Sequence, residues 1–158
     1  MQLKLFMHVA SWLGAALVGV FSERRLSRQG SPKLSAIARY GMPNPRAAAA
    51  VVHNGVVYLS GQVGVVDEDG TLKGDVKQQT RETLAKIDRI LAECGTSKKK
   101  LLSTQIWVKT MGEHFAPMNE VWNEYVGEFP ETKGVRACVE SEMARPSILV
   151  EIQVIAAL

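Results

Sequence analysis

Between Asp75 and Gly95 the chain carries its most constraining pattern: Val76, Thr80, Leu84, Ile87 and Leu91 recur at steps of three and four. That spacing draws one apolar stripe down an α-helix, and a one-faced helix must lay its stripe against another layer. Asp75 is placed to accept from the first free N–H groups, and Gly95 follows where a left-handed residue ends a helix. If the stripe is buried, truncating Leu84 or Ile87 to Ala costs about 2–5 kcal/mol. A second helix is expected over 113–128, where Phe115, Met118, Trp122, Tyr125 and Phe129 keep the same rhythm. Pro130 ends it, and Pro117 is expected in its first turn, where a missing N–H matters little.

The receiving layer reads as strands. Val51-Val52-His53 and Val56-Val57-Tyr58-Leu59-Ser60 flank Asn54-Gly55, whose residues accept the positive φ of a type I′ hairpin turn. Asp67-Glu68-Asp69-Gly70 marks another turn. Further strands are expected over 101–109, 135–141 and 148–156. Two helices packed on a sheet of about six strands make an α+β layer, in a single domain over 33–158. Two helices cover one side only. The other side should read polar if it meets water and mixed if it meets a partner.

A chain of 158 residues, 46% hydrophobic and 22% charged, fits one compact domain and is no disordered polymer. Cys94 and Cys138 form no CxxC pair, and His8, His53 and His114 are scattered, so no zinc site is expected. Residues 1–32 hold four basic side chains against one acidic; the 15 basic and 15 acidic residues of the remainder cancel. The basic pI therefore belongs to the N-terminal segment, and the body has no stripe for binding nucleic acid. Lys98-Lys99-Lys100 reads as a solvated turn. The segment 9–21 is apolar but too short for a confident membrane span, so no stable span is expected in the mature form. With the following Arg24-Arg25-Leu26-Ser27 it reads as a leader over 1–32. A mitochondrial transit peptide is one reading; a misassigned start or an extension without an address is the other, which leaves the protein cytoplasmic.

Alternation places Arg136, Cys138 and Glu140 on one face of their strand, and Glu151 and Gln153 opposite the apolar face of theirs. If those two strands pair, Arg136 and Cys138 come near Glu151 on the helix-free side. That grouping reads two ways. It is a surface ion pair worth about 0–1 kcal/mol, or a guanidinium fork for a substrate carboxylate beside a carboxylate that orients water.

The string Gly134-Val135-Arg136-Ala137-Cys138-Val139-Glu140, followed by Val150-Glu151-Ile152-Gln153-Val154-Ile155-Ala156, resembles the end of the Rid family. These are the reactive intermediate deaminases, also called YjgF-like proteins. Tyr58-Leu59-Ser60-Gly61-Gln62, Gln79-Thr80 and Met118-Asn119-Glu120-Val121-Trp122 match in order, so the resemblance spans nearly the whole body. It implies a chorismate mutase-like fold and a homotrimer with a ligand cleft at each subunit interface. The implied activity is hydrolysis of 2-imino acids such as 2-iminobutanoate and 2-iminopropanoate, or their enamines, to 2-keto acids and ammonia.

By the same resemblance Arg136 holds the substrate carboxylate and Glu151 positions or activates water. Cys138, Ser60, Gly61 and Asn119 line the cleft. No metal, nucleotide or flavin is needed, because an iminium carbon is already electrophilic. One position departs: many deaminating members carry a tyrosine 13 residues before the serine, and here that position is Ala47. Tyr40 is a candidate to replace it. The missing aromatic keeps a second reading open, a non-catalytic trimer that binds small carboxylates or acts as a regulator or chaperone.

Overall fold

The computed structural model describes residues 36–41, 45–127 and 133–158. The expected leader over 1–32 and Phe129 lie outside the described residues. Elements follow as β1 (Ala38–Tyr40), β2 (Ala50–His53), β3 (Val56–Leu59), α1 (Val76–Glu93), β4 (Leu101–Val108), α2 (Met111–Gly127), β5 (Val135–Glu140) and β6 (Val150–Ala157). One six-stranded mixed sheet has the order β1-β2-β3-β6-β4-β5, and both helices pack on the same face. The α+β layer expected from the sequence is therefore the observed fold.

Local chemistry accounts for each boundary. Asn54 and Gly55 take φ of 50° and 76° between β2 and β3, the positive-φ pair of a type I′ turn. Asp75 caps α1 by accepting from Gln78 N at 2.8 Å. At the other end Gly95 N donates to Ala92 O and Thr96 N to Leu91 O, the paired bonds of a Schellman motif with Gly95 at φ 82°. Val76, Thr80, Leu84, Ile87 and Leu91 are all buried. Gln79 is buried too, yet satisfied at both ends: its Nε2 donates to Ser147 O and its Oε1 accepts from Leu149 N, each at 2.9 Å. That amide ties α1 to the approach of β6. Tyr125 donates its hydroxyl to Asp88 at 2.6 Å and so links the two helices; burial, then the Asp88 contact, pushes its pKa up.

Three expectations change. The second helix starts at Met111, two residues early, because Thr110 O accepts from Glu113 N and His114 N and starts the first turn. Pro117 therefore falls inside the helix, where it withholds the bond that Glu113 O would receive. Phe115 is 38% exposed and leaves the stripe, whose place is taken by Val121 and Val126. A strand absent from the sequence reading, β1, pairs antiparallel with β2. The Lys98–Lys100 turn is a short 3-10 segment, with Lys98 Nζ 4.6 Å from the Tyr125 ring centroid.

Register defines the two faces of the sheet. Ile106 lies opposite both Cys138 and Ile152, and Thr104 opposite both Arg136 and Val154. These rows face the helices, and their buried members form the core. The other face carries Val135, Ser103, Ile155 and Tyr58 in one row across four strands. Below it runs Ala137, Gln105 and Gln153, then Val139, Trp107 and Glu151. Val135 is 71% exposed and Tyr58 45%. The helix-free face is mixed, the pattern expected of a surface that meets a partner.

Candidate active site

The residues singled out in the sequence fall into two groups on opposite faces of the sheet. Arg136 and Cys138 point from β5, an edge strand, toward α2. Arg136 Nη1 donates to Asn119 Oδ1 at 2.8 Å, and its guanidinium carbon stands 5.4 Å from the Trp122 ring centroid. Asn119 and Trp122 are three residues apart on α2, so one helix face presents both. Among the described residues no carboxylate pairs with Arg136. A half-buried cation is thus answered only by an amide oxygen and a ring face, leaving part of its fork for an anion. Burial raises the Cys138 pKa, while Arg136 pulls the other way. A thiol held protonated is a poor nucleophile.

Glu151 belongs to the second group. Gln62 and Ile152 exchange backbone bonds of 2.8 and 2.9 Å, which carries Ser60-Gly61-Gln62 alongside β6. Gly61 makes room for the carboxylate: a Cβ there would overlap Glu151 Oε1 and come within 2.9 Å of its Cδ. Among the described residues Glu151 has neither a hydrogen bond nor an ion pair. Burial raises its pKa above the ordinary carboxylate value. An uncommitted carboxylate with raised proton affinity suits general-base work.

Ser60 Oγ donates to Ala48 O at 2.7 Å, so toward a ligand it is an acceptor. Ser60 and Gly61 border a cleft of about 420 Å³ between α1 and the segment Ala47–Ala49. Tyr40 packs against the core and does not line this cleft.

The proximity expected of Arg136 and Cys138 to Glu151 is not found within one chain. β5 and β6 do not pair; β4 lies between them, parallel to β5 and antiparallel to β6. Two strand spacings separate them by about 10 Å. The reason is the connection β4-α2-β5: a crossover helix joins parallel neighbours, and β6 then takes the other edge of β4. Register with Thr104 and Ile106 turns Arg136 and Cys138 toward the helices, away from Glu151. Trp122, read in the sequence as part of an apolar stripe and of a matching string but not as a site residue, is the aromatic wall behind Arg136. Its spacing from Asn119 was the available signal.

Residues 35–158 match the family model described as Endoribonuclease L-PSP. The chain belongs to the Rid/YjgF family. A solved YjgF-family protein from Neisseria meningitidis, NMB1025, is 40% identical, with a TM-score of 0.67 over 77% of this chain and 94% of that one. A RutC family protein of Haemophilus influenzae is 34% identical over 73% of this chain and 93% of its own length. Protein mmf1, mitochondrial, of Schizosaccharomyces pombe is 33% identical over 80% of this chain and 72% of its own. The family match begins at residue 35, so residues 1–34 lie outside it. No helix among the described residues is long and apolar enough to cross a membrane.

Proposed function

We propose that the protein hydrolyses 2-imino acids and their enamine tautomers to 2-keto acids and ammonia. The observation that carries this reading is the Arg136 guanidinium, half-buried, held by Asn119 and Trp122, and without a carboxylate partner among the described residues. Such a charge suits the carboxylate shared by every 2-imino acid. Glu151 supplies the base. As water attacks the imine carbon, Glu151 takes its proton; the new C–O bond forms while the C=N π pair moves to nitrogen. Starting from the protonated imine, Glu151 then returns its proton to that nitrogen, which becomes an ammonium. As the C–N bond breaks and ammonia leaves, the hydroxyl proton passes back to the Glu151 carboxylate and the C=O closes.

The two groups act together across a subunit boundary in this reading. Arg136, Cys138 and Asn119 of one protomer face Ser60, Gly61 and Glu151 of the next in a homotrimer, whose contact is made by the mixed, helix-free face. The assembly and the interface site come from the family resemblance. The separation of the two groups within one chain supports them, since neither group alone can bind and hydrate an imine.

The test generates 2-iminopropanoate and 2-iminobutanoate with an amino-acid oxidase and traps what remains with semicarbazide. Wild-type protein is expected to compete with the trap. Arg136→Ala should lose about 30-fold or more in kcat/KM, the usual cost of truncating one partner of a desolvated charge pair. Equal competition by both proteins sinks the proposal. Exposed Ala47, where many deaminating relatives have a tyrosine, favours a second reading as a carboxylate-binding trimer. Keto-acid binding without turnover in the wild type would establish that instead. Nucleic acid is no partner in either reading, and ribonuclease activity that survives Arg136→Ala would contradict both. A transit-peptide role for residues 1–32 agrees with the mitochondrial name of the fission-yeast relative, and is tested by whether 1–32 carry a fluorescent protein into mitochondria.

A further inference from the structure

The cleft beside Ser60 and Gly61 holds two cations that the reaction above does not use. Lys86 and Arg89 both line it from α1. They are one helical turn apart on the same face, where like charges repel. Among the described residues neither makes a hydrogen bond or an ion pair. Most other cations with a described contact are answered: Lys73 by Asp67, Lys77 by Glu120, Lys109 by Pro146 O and Arg145 by Gly70 O. Lys86 is half-buried, and burial, then Arg89, lowers its pKa. Glu93 also borders the cleft, further along α1, and pairs with neither. Protonated Lys86 and Arg89 leave the cleft with a net positive charge.

The opposite wall is made of the smallest side chains available, Ala47, Ala48 and Ala49. At about 420 Å³ the space lies within the roughly 300–1,000 Å³ typical of small-molecule sites. An aromatic ring at Ala47 would fill part of it. Three alanines instead leave the cleft open from Ser60 and Gly61, the latter lying against the Glu151 carboxylate, to the Lys86 and Arg89 side chains.

We propose that this cleft receives a second anionic group, carboxylate or phosphate, at the far end of the ligand. The proposal rests on the imine-hydrolase reading for the near end of that ligand and narrows its substrate class. Preferred substrates are imines of acidic keto acids; short aliphatic ones leave the two cations unanswered.

Calorimetric titration of the full-length protein tests this with three keto acids: 2-oxobutanoate, 2-oxoglutarate and the phosphate ester of 3-hydroxypyruvate. At least one of the two acids with a second anionic group should bind about tenfold or more tightly than 2-oxobutanoate at low ionic strength, and the better of the two identifies the group. A Lys86→Met, Arg89→Met double variant should bring that ratio to about one, with folding checked by its melting curve. Lys86→Arg, which keeps the charge, should retain the preference. A wild type that binds 2-oxobutanoate as tightly as both of the other acids overturns this inference and leaves the hydrolase reading standing. A preference that survives the double variant also overturns it. Failure of every keto acid to bind overturns the hydrolase reading and this one with it.

Discussion

Glu151 is held by burial in a state that costs stability at neutral pH. Its folded pKa is raised above the ordinary carboxylate value of 4.5 by burial. The folded state therefore binds the proton more tightly than the unfolded chain. Its contribution to stability is full below the unfolded pKa and is lost as pH rises through the raised folded one. Glu151→Gln, which removes the titration, should raise the melting temperature at pH 7 relative to wild type and have little effect at pH 4. Melting curves across that range check it; a constant difference would show that Glu151 does not titrate with a raised pKa. The same variant should retain keto-acid binding and lose turnover. Gly61 is the complement of Glu151. Gly61→Ala places a methyl where the carboxylate lies, so turnover should fall by about tenfold or more as the base moves from the imine carbon. The imine assay measures it, and an unchanged circular dichroism spectrum separates displacement from unfolding.

At the scale of elements, the local signals in the sequence were strong and held. The stripe of α1, its Asp75 cap, its Gly95 stop and the Asn54-Gly55 turn each depend on neighbours within a few residues, and all four appear where expected. Because Leu84 is 3% exposed and Ile87 0%, truncating either to Ala should cost about 2–5 kcal/mol in denaturant unfolding. α2 was less legible. Its start depends on Thr110, a residue outside the apolar rhythm, and its exposed Phe115 fits that rhythm without being buried. β1 was not legible at all. Three residues, Ala38–Tyr40, carry no alternation long enough to read, and the segment is a strand only because β2 offers it a free edge.

At the scale of the whole molecule, the division of the site between two faces makes a sharp prediction. If Arg136 of one protomer works with Glu151 of the next, two inactive variants rescue each other. Mixing Arg136→Ala and Glu151→Gln subunits in equal amounts, with unfolding and reassembly, should restore about a quarter of wild-type activity, since a random closed ring pairs two intact halves at that frequency. A site completed inside one chain gives no rescue. Sedimentation of the wild type should report a trimer at micromolar concentration.

The fold class, both helices and the hairpin were legible in the sequence, and so was the motif that nominates the candidate site residues. Each of these is written in short-range periodicity, in caps and turn residues, or in a motif whose residues are consecutive along the chain. How the candidate site residues are grouped was set by the tertiary fold. Alternation assigns a side chain to one of two faces but cannot name the strand beside it, and that neighbour is chosen by a crossover helix and by which edge remains free. Here β4 took the place between β5 and β6, turned Arg136 toward Asn119 and Trp122, and left Glu151 against Gly61 on the far side. Lys86 and Arg89 make the same point. In the sequence they are two charges on the polar side of a helix, and they become a cleft wall only when the Ala47–Ala49 segment folds opposite them.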